Sequence, residues 1–291
     1  MLAELLAIVA PVYIAIALGW GWKRAGRPWN TQIVTELIMT IGAPCLVFSS
    51  LVAMDVERAA LGQMALAAFA AFALLAVIGL AVLKIFGLPV RAFLAPVIFP
   101  NAGNMGLPVA LFAFGDEGLA LGVAFYAVAA FTQYSAGIWL WSGRVSGGEL
   151  ARTPLFWSAI LAAGVVAVGW QVPDWLLRTT GLLGGFTIPL MQISLGYSLG
   201  GFELGGVRRS LGLSLLRLGL GLAVGWGLAD LLGFSGAARG VLILQCSMPV
   251  AVLNYLLAEK YGQRPSEVAS LVVLSTLLSL LTLPLVLLAV L

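Results

Sequence analysis

The chain has no histidine and only two cysteines among its 291 residues, and Asp, Glu, Lys and Arg together make up 9% of it. Each shortage excludes something. Without histidine, the commonest metal ligand and the side chain that titrates nearest neutral pH are both missing. Cys45 and Cys246 fall inside apolar stretches, so there is neither a disulfide framework nor a cysteine-rich zinc motif. The longest basic runs are pairs such as Lys23-Arg24 and Arg208-Arg209, which give nucleic acid no tract to bind. A soluble domain would carry about a quarter of its residues as charges, so this chain reads as an all-α, polytopic membrane protein whose partner along its length is the lipid bilayer. An intramembrane enzyme would need a nucleophile, base or metal set. With no histidine and no carboxylate in the middle of an apolar run, none is on offer, and no catalytic residue, metal or cofactor is expected.

Apolar runs between charged or Gly/Pro-rich breaks give ten spans, at 3–22, 32–53, 61–86, 92–114, 118–142, 154–172, 175–201, 209–232, 237–259 and 268–290. The first has its positive charges, Lys23, Arg24 and Arg27, after the apolar run, which reads as an uncleaved span and not as a signal peptide. Eleven Lys and Arg lie in the odd-numbered connections: Lys23, Arg24, Arg27, Lys84, Arg91, Arg144, Arg152, Arg208, Arg209, Lys260 and Arg264. Three lie in the even-numbered ones, Arg58, Arg178 and Arg239, and the fifteenth, Arg217, is inside span eight. The positive-inside bias therefore puts the odd connections in the cytoplasm and both termini outside. The expected location is the plasma (inner) membrane.

Two spans are interrupted. Phe99–Gly115, FPNAGNMGLPVALFAFG, packs two asparagines and several glycines and prolines into a membrane segment, and Leu244–Asn254, LQCSMPVAVLN, does much the same. Proline lacks the N–H that continues a helix and clashes with the carbonyl four residues back. Inside lipid, every backbone group so freed must find a partner within the protein. The halves repeat as well: Pro11, Pro44 and Pro108 have counterparts in Pro154, Pro189 and Pro249, at offsets of 143, 145 and 141 residues, and GLPVAL matches SMPVAV. Five spans per half is an odd number, so the second half, 154–291, sits upside down relative to the first, 1–142, with 143–153 as a cytoplasmic linker. Inverted repeats with paired broken helices are a build of secondary transporters, whose site lies near the bilayer midplane.

The pattern P-N-x-x-x-M-G-x-P at Pro100, Asn101, Met105, Gly106 and Pro108 resembles the fourth helix of the auxin efflux carrier family. That family includes the plant PIN carriers and bacterial permeases for malonate, malate and related anions. The run from Met248 through Leu285, with Ala258, Tyr261 and Pro265 at its turn, is similar to the last two helices of the family. The resemblance implies ten helices, with helices four and nine broken and crossing. It also implies a scaffold of helices 1, 2, 6 and 7, a transport domain of 3–5 and 8–10 that moves as an elevator, and a homodimer. The long loop between halves of the plant members is missing here.

The two breaks define the candidate substrate site: Asn101, Asn104, Gly106 and Pro108 at the first, Gln245, Ser247, Pro249 and Asn254 at the second. Pro108 and Pro249 suit the first turn of a new half-helix, where a missing N–H costs nothing. The two helix starts would present free N–H groups and positive dipole ends to an anion. Asn101 matches the family's motif asparagine, which implies a contact with the substrate carboxylate. The reading is a secondary transporter of a small organic anion, a carboxylate or dicarboxylate, auxin-like acids included. The alternative is a sodium-coupled symporter of the bile acid type, although those carry an acidic residue near the second crossing and Leu242–Val250 has none. Thr132, Gln133 and Tyr134 can line a pathway or bond between helices. Ser275, Thr276, Ser279 and Thr282 read as helix packing, as does the spacing Gly219, Gly221, Gly225, Gly227. Arg217 lies about two turns from the cytoplasmic end of its span, close enough to snorkel. The charge bias makes a direct prediction. In a background lacking Cys45 and Cys246, an impermeant thiol reagent applied to intact cells labels Leu291→Cys and spares Ser146→Cys; the opposite pattern reverses the orientation.

Overall fold

The structure, a computed structural model, describes residues 2–53, 57–143 and 153–291. Most of the connection expected at 143–153, with Arg144, Ser146 and Arg152, lies outside the described residues. The described residues form helices and no strand: α1 Leu2–Arg24, α2 Thr31–Leu37, α3 Ala43–Ala53, α4 Arg58–Ile85, α5 Val90–Ile98, α6 Leu107–Thr132, α7 Ile138–Ser142, α8 Pro154–Val168, α9 Asp174–Gly185, α10 Thr187–Gly201, α11 Val207–Leu231, α12 Gly236–Ser247, α13 Leu253–Lys260 and α14 Pro265–Val290. Five-residue π-helical turns join several of them, at Ile38–Gly42, Ala102–Gly106 and Gln133–Gly137.

Seven helical stretches are long and apolar enough to cross a membrane. One of them, Ala102–Ser142, has 41 residues, which at 1.5 Å per residue is about twice the hydrocarbon thickness. It reverses at Gly115, whose φ of 63° and ψ of −152° leave the helical region and favour glycine. Gly118 and Gly122 then lie back against Ala110 on the incoming arm. The span expected at 154–172 is shorter than read: α8 stops at Val168 because Gly169 takes a left-handed cap at φ 72°.

The interrupted segments are the innermost, with Ala92–Ile98 and Gly240–Ser247 buried throughout. The continuous helices α4 and α14 each expose one apolar face, with Leu66 and Val77 on the first and Leu281 and Leu285 on the second. A continuous helix satisfies its own backbone and can face lipid, whereas a broken one must be enclosed.

Close packing of small residues fixes the helix pairs. Gly19 of α1 meets the Ile193 carbonyl of α10, and Gly196 of α10 meets the Ile16 carbonyl of α1. Gly184 of α9 lies on the Leu46 backbone of α3, and Ser158 of α8 donates to the Pro44 carbonyl at 2.6 Å. Of the four glycines read as packing residues in α11, Gly221 and Gly225 contact α12 at Cys246, while Gly219 and Gly227 face open space. A side chain at position 196 would enter the Ile16 carbonyl, so Gly196→Val should cost about 1–3 kcal/mol or more. Gly164→Ala, where nothing lies within 4 Å, should stay within about 0.5 kcal/mol. Thermal denaturation of the purified protein measures both; equal stability of the two variants would contradict the α1–α10 contact.

Candidate functional site

The two interruptions meet. Pro100 and Val250 form an isolated antiparallel bridge, with the Asn101 N–H donating to the Pro249 carbonyl at 2.7 Å and the Ala251 N–H to the Phe99 carbonyl at 3.2 Å. The backbone donors of Phe99–Asn101 and Pro249–Ala251 are all accounted for, as a dry interior demands. The Val250 N–H goes to the Ser275 hydroxyl at 3.1 Å, the Phe99 N–H to Ala95 at 2.9 Å, and Pro100 and Pro249 have none to satisfy. Asn254 reinforces the junction by donating from Nδ2 to the Ala251 carbonyl at 3.2 Å and to the Phe99 carbonyl at 3.5 Å.

This corrects the expected role of both prolines. Pro249 does not open a half-helix: it lies in the extended crossing, and α13 begins only at Leu253. Pro108 is the second residue of α6, but the chain is already coiled from Ala102 as a π turn, in which the Gly106 N–H reaches back to Asn101 at 3.1 Å. Pro44 likewise follows a π turn, as the second residue of α3.

A cavity of about 140 Å³ opens beside the crossing. Asn101, Asn104 and the backbone of Ala102 and Gly103 line it on one side, with Ala251, Val252 and Leu253 next to them. The first turn of each helix that follows a break therefore faces the cavity. In a helix opening at Ala102, the N–H groups of Ala102, Gly103 and Asn104 precede the first intrahelical donor, Met105. Asn101 and Gln133 are buried, and the amide nitrogen of each has no hydrogen-bond partner. The hydroxyl of Ser194, which also lines the cavity, is unpartnered too. Among the described residues, no Lys, Arg, Asp or Glu lines the cavity. Unused donors, two helix starts and the lack of any acidic wall suit an anion more than a cation.

Not all the expected site residues share this cavity. Gly106, Pro108, Gln245, Ser247, Pro249 and Asn254 lie outside its lining. Gln245 is fully buried with both amide atoms unpartnered, and a side chain at Gly106 would collide with its oxygen. The Ser247 hydroxyl bonds within its helix to Ile243 at 2.7 Å. Of the pathway candidates, Gln133 and Tyr134 reach the cavity, while Thr132 turns back to the Val128 carbonyl at 2.7 Å. Ser275, read as packing, supports the crossing directly, while Ser279 bonds Tyr13 at 2.9 Å between α14 and α1.

The wall from α2 and α10 was missed by the sequence reading, with Thr31 and Thr35 on the first and Met191, Ser194 and Ser198 on the second; so was Tyr126 on α6, whose ring lies against Gly103. The signal was present as two hydroxyl pairs spaced i, i+4, one helical turn apart on a single face. Among the described residues, no group of three or more His, Cys, Asp or Glu is arranged to hold a metal ion.

Arg217 overturns the expectation of snorkelling. It is fully buried and donates from Nη1 to the Val97 carbonyl at 3.2 Å and from Nη2 to the Cys246 carbonyl at 2.8 Å.

Comparison with known proteins identifies the family. The family described as "Membrane transport protein" matches residues 5–150 and 143–287. A protein of Methanothermobacter thermautotrophicus named "Uncharacterized transporter" is 29% identical, with 95% of each chain covered. An uncharacterised transporter of Methanocaldococcus jannaschii is 31% identical over 64% of this chain and 63% of its own. With a crossing of two interrupted helices at its centre and the family match along nearly its whole length, the chain belongs to the membrane transport protein family, that of the auxin efflux carriers.

Proposed function

We propose that the protein is a secondary transporter of a small organic anion, mono- or dicarboxylic, held at the crossing of two broken helices. The observation that carries this reading is the convergence on one cavity of two helix starts and the unpartnered amide nitrogens of Asn101 and Gln133. Neutral donors and helix ends hold a carboxylate without a cationic side chain in the wall, strongly enough to select it and weakly enough to release it.

The wider architecture belongs to the same proposal. Counting the arms on either side of Gly115 separately, joining α5 to the arm that follows it and α12 to α13, and adding α8 gives ten crossings. The proline offsets of about half the chain and the antiparallel pairing of the breaks support two inverted five-helix repeats with helices four and nine interrupted. The packing of α1 on α10 and of α3 on α8 and α9 supports a scaffold of helices 1, 2, 6 and 7. Against it a transport domain of 3–5 and 8–10 would slide as an elevator, in a homodimer of the plasma membrane with both termini outside.

Counterflow in proteoliposomes, with a panel of radiolabelled carboxylic acids and their neutral amides, tests the reading. At least one acid should exchange while its amide does not. For that acid, Asn101→Ala should weaken binding by about tenfold to a hundredfold, equivalent to losing one hydrogen bond to a charged group at about 1.5–3 kcal/mol, and leave the thermal midpoint of the empty protein unchanged. Exchange that stops without sodium at fixed voltage would move the protein to the sodium-symporter reading. Unaltered affinity in the asparagine variant would put the anion elsewhere.

A further inference from the structure

We propose that Arg217 sets the charge preference of the cavity from behind the crossing, by cancelling the negative ends of the two half-helices that lead into it. The inference deepens the reading of the cavity as an anion site and names the residue that makes it one.

The two carbonyls that Arg217 holds are among those orphaned by the breaks. In an uninterrupted helix the Val97 carbonyl would accept from the N–H of residue 101 and the Cys246 carbonyl from that of residue 250. Both donors are diverted: Asn101 donates to Pro249 and Val250 to Ser275. One guanidinium answers both vacancies, at 3.2 Å and 2.8 Å. A forked, permanently charged donor is suited to spanning two helix ends in this way. Gly221, one turn further along α11, permits the approach, because a side chain there would enter the Cys246 carbonyl.

The charge matters as well as the hydrogen bonds. Each helix end carries about half an elementary charge, negative at the C-terminus and positive at the N-terminus. The crossing brings together two of each: α5 and α12 end at it, while the π turn at Ala102 and α13 begin at it. Left alone, the four ends sum to about zero and would lend the cavity no net potential beyond that of its unpartnered amide donors. Arg217 supplies one positive charge on the side of the two negative ends. It has no ion-pair partner among the described residues, and its Nε is unpartnered. The two positive ends facing the cavity are thereby left uncancelled. A chain of four residues, at most about 14 Å when extended, separates Val97 from Asn101, so the charge is felt across the crossing in this low-dielectric interior.

The test reads the potential of the cavity with charged thiol reagents and needs no knowledge of the substrate, so a wrong substrate class would not affect it. Ser198→Cys places a thiol in the cavity wall of a protein carrying Cys45→Ala and Cys246→Ala. Its reaction rates with sulfonatoethyl (anionic), trimethylammonioethyl (cationic) and methyl (neutral) methanethiosulfonate are each divided by that reagent's rate with 2-mercaptoethanol. The parent should favour the anionic reagent over the cationic one. Arg217→Gln should lower that preference by about tenfold with the neutral rate unchanged, and Arg217→Lys should keep it within about threefold. A purely structural role would alter the neutral rate too and would let glutamine serve as well as lysine. If Arg217→Gln does not fold, Arg217→Met carries the same comparison. If both neutral variants fail and the folded lysine variant keeps the preference, the charge is the requirement, as proposed. A parent that does not react faster with the anion, a glutamine or methionine variant with the parent's ratio, or a lysine variant that fails alongside the neutral ones overturns it.

Discussion

The backbone hydrogen bond from Asn101 to Pro249, with its mate from Ala251 to Phe99, is the constraint on which the rest of the molecule depends. A helix interrupted inside a membrane exposes donors and acceptors whose burial unpaired costs several kcal/mol each. Neither break is tolerable alone, but each supplies what the other lacks. The two extended segments must therefore touch, which keeps the broken helices enclosed, with Ala92–Ile98 and Gly240–Ser247 buried throughout. Proline contributes by subtraction: Pro100 and Pro249 sit where a donor would have had nowhere to go. Ser275 and Asn254, on helices that pack against the crossing, supply the remaining donors and acceptors.

Close approach is the second requirement, and glycine meets it where backbone must meet backbone. Gly221 and Gly225 bring α11 against α12, so that Arg217 ends beside the last carbonyls of α5 and α12 and not at the membrane surface. Gly19 and Gly196 do the same for α1 and α10, reciprocally, each against a carbonyl of the other helix. The same small residue is used in two ways: one pair fixes helices distant from the crossing, and the other admits a charge to its back.

The sequence carried the membrane class and both interruptions, because apolarity and proline act locally and are written in consecutive residues. It carried Asn101 and Asn104 as cavity residues for the same reason, since a polar amide inside an apolar run is conspicuous. It did not carry the paths of individual hydrogen bonds. Whether Pro249 opens a helix or lies in an extended segment depends on which partner the Val250 N–H finds, and that partner, Ser275, is 25 residues away. Arg217 misled for a related reason: its distance from the end of α11 permits snorkelling, and only the position of α5, 120 residues earlier, shows that two carbonyls are waiting for it. The hydroxyls of Thr31, Thr35, Ser194 and Ser198 were overlooked because a serine or threonine in a membrane helix usually bonds its own preceding turn. Thr132 and Ser135 do so here.

The cavity is divided between two kinds of wall, and the division bears on how a carrier can release what it binds. The crossing wall offers donors held by its backbone: N–H groups at helix starts, with the amides of the buried Asn101 and Gln133 beside them. Preordered groups lose little freedom on binding, so their contribution to affinity is large for their number. The facing wall, from α2 and α10, offers hydroxyls that can rotate to donate or accept and the flexible Met191. In the proposed elevator the substrate stays with the first wall and slides past the second. A wall of charged or rigidly oriented groups on the stationary side would hold the ligand in one position along the path. Adaptable hydroxyls can exchange partners as the ligand moves, so the selective contacts belong on the moving side and the permissive ones on the stationary side.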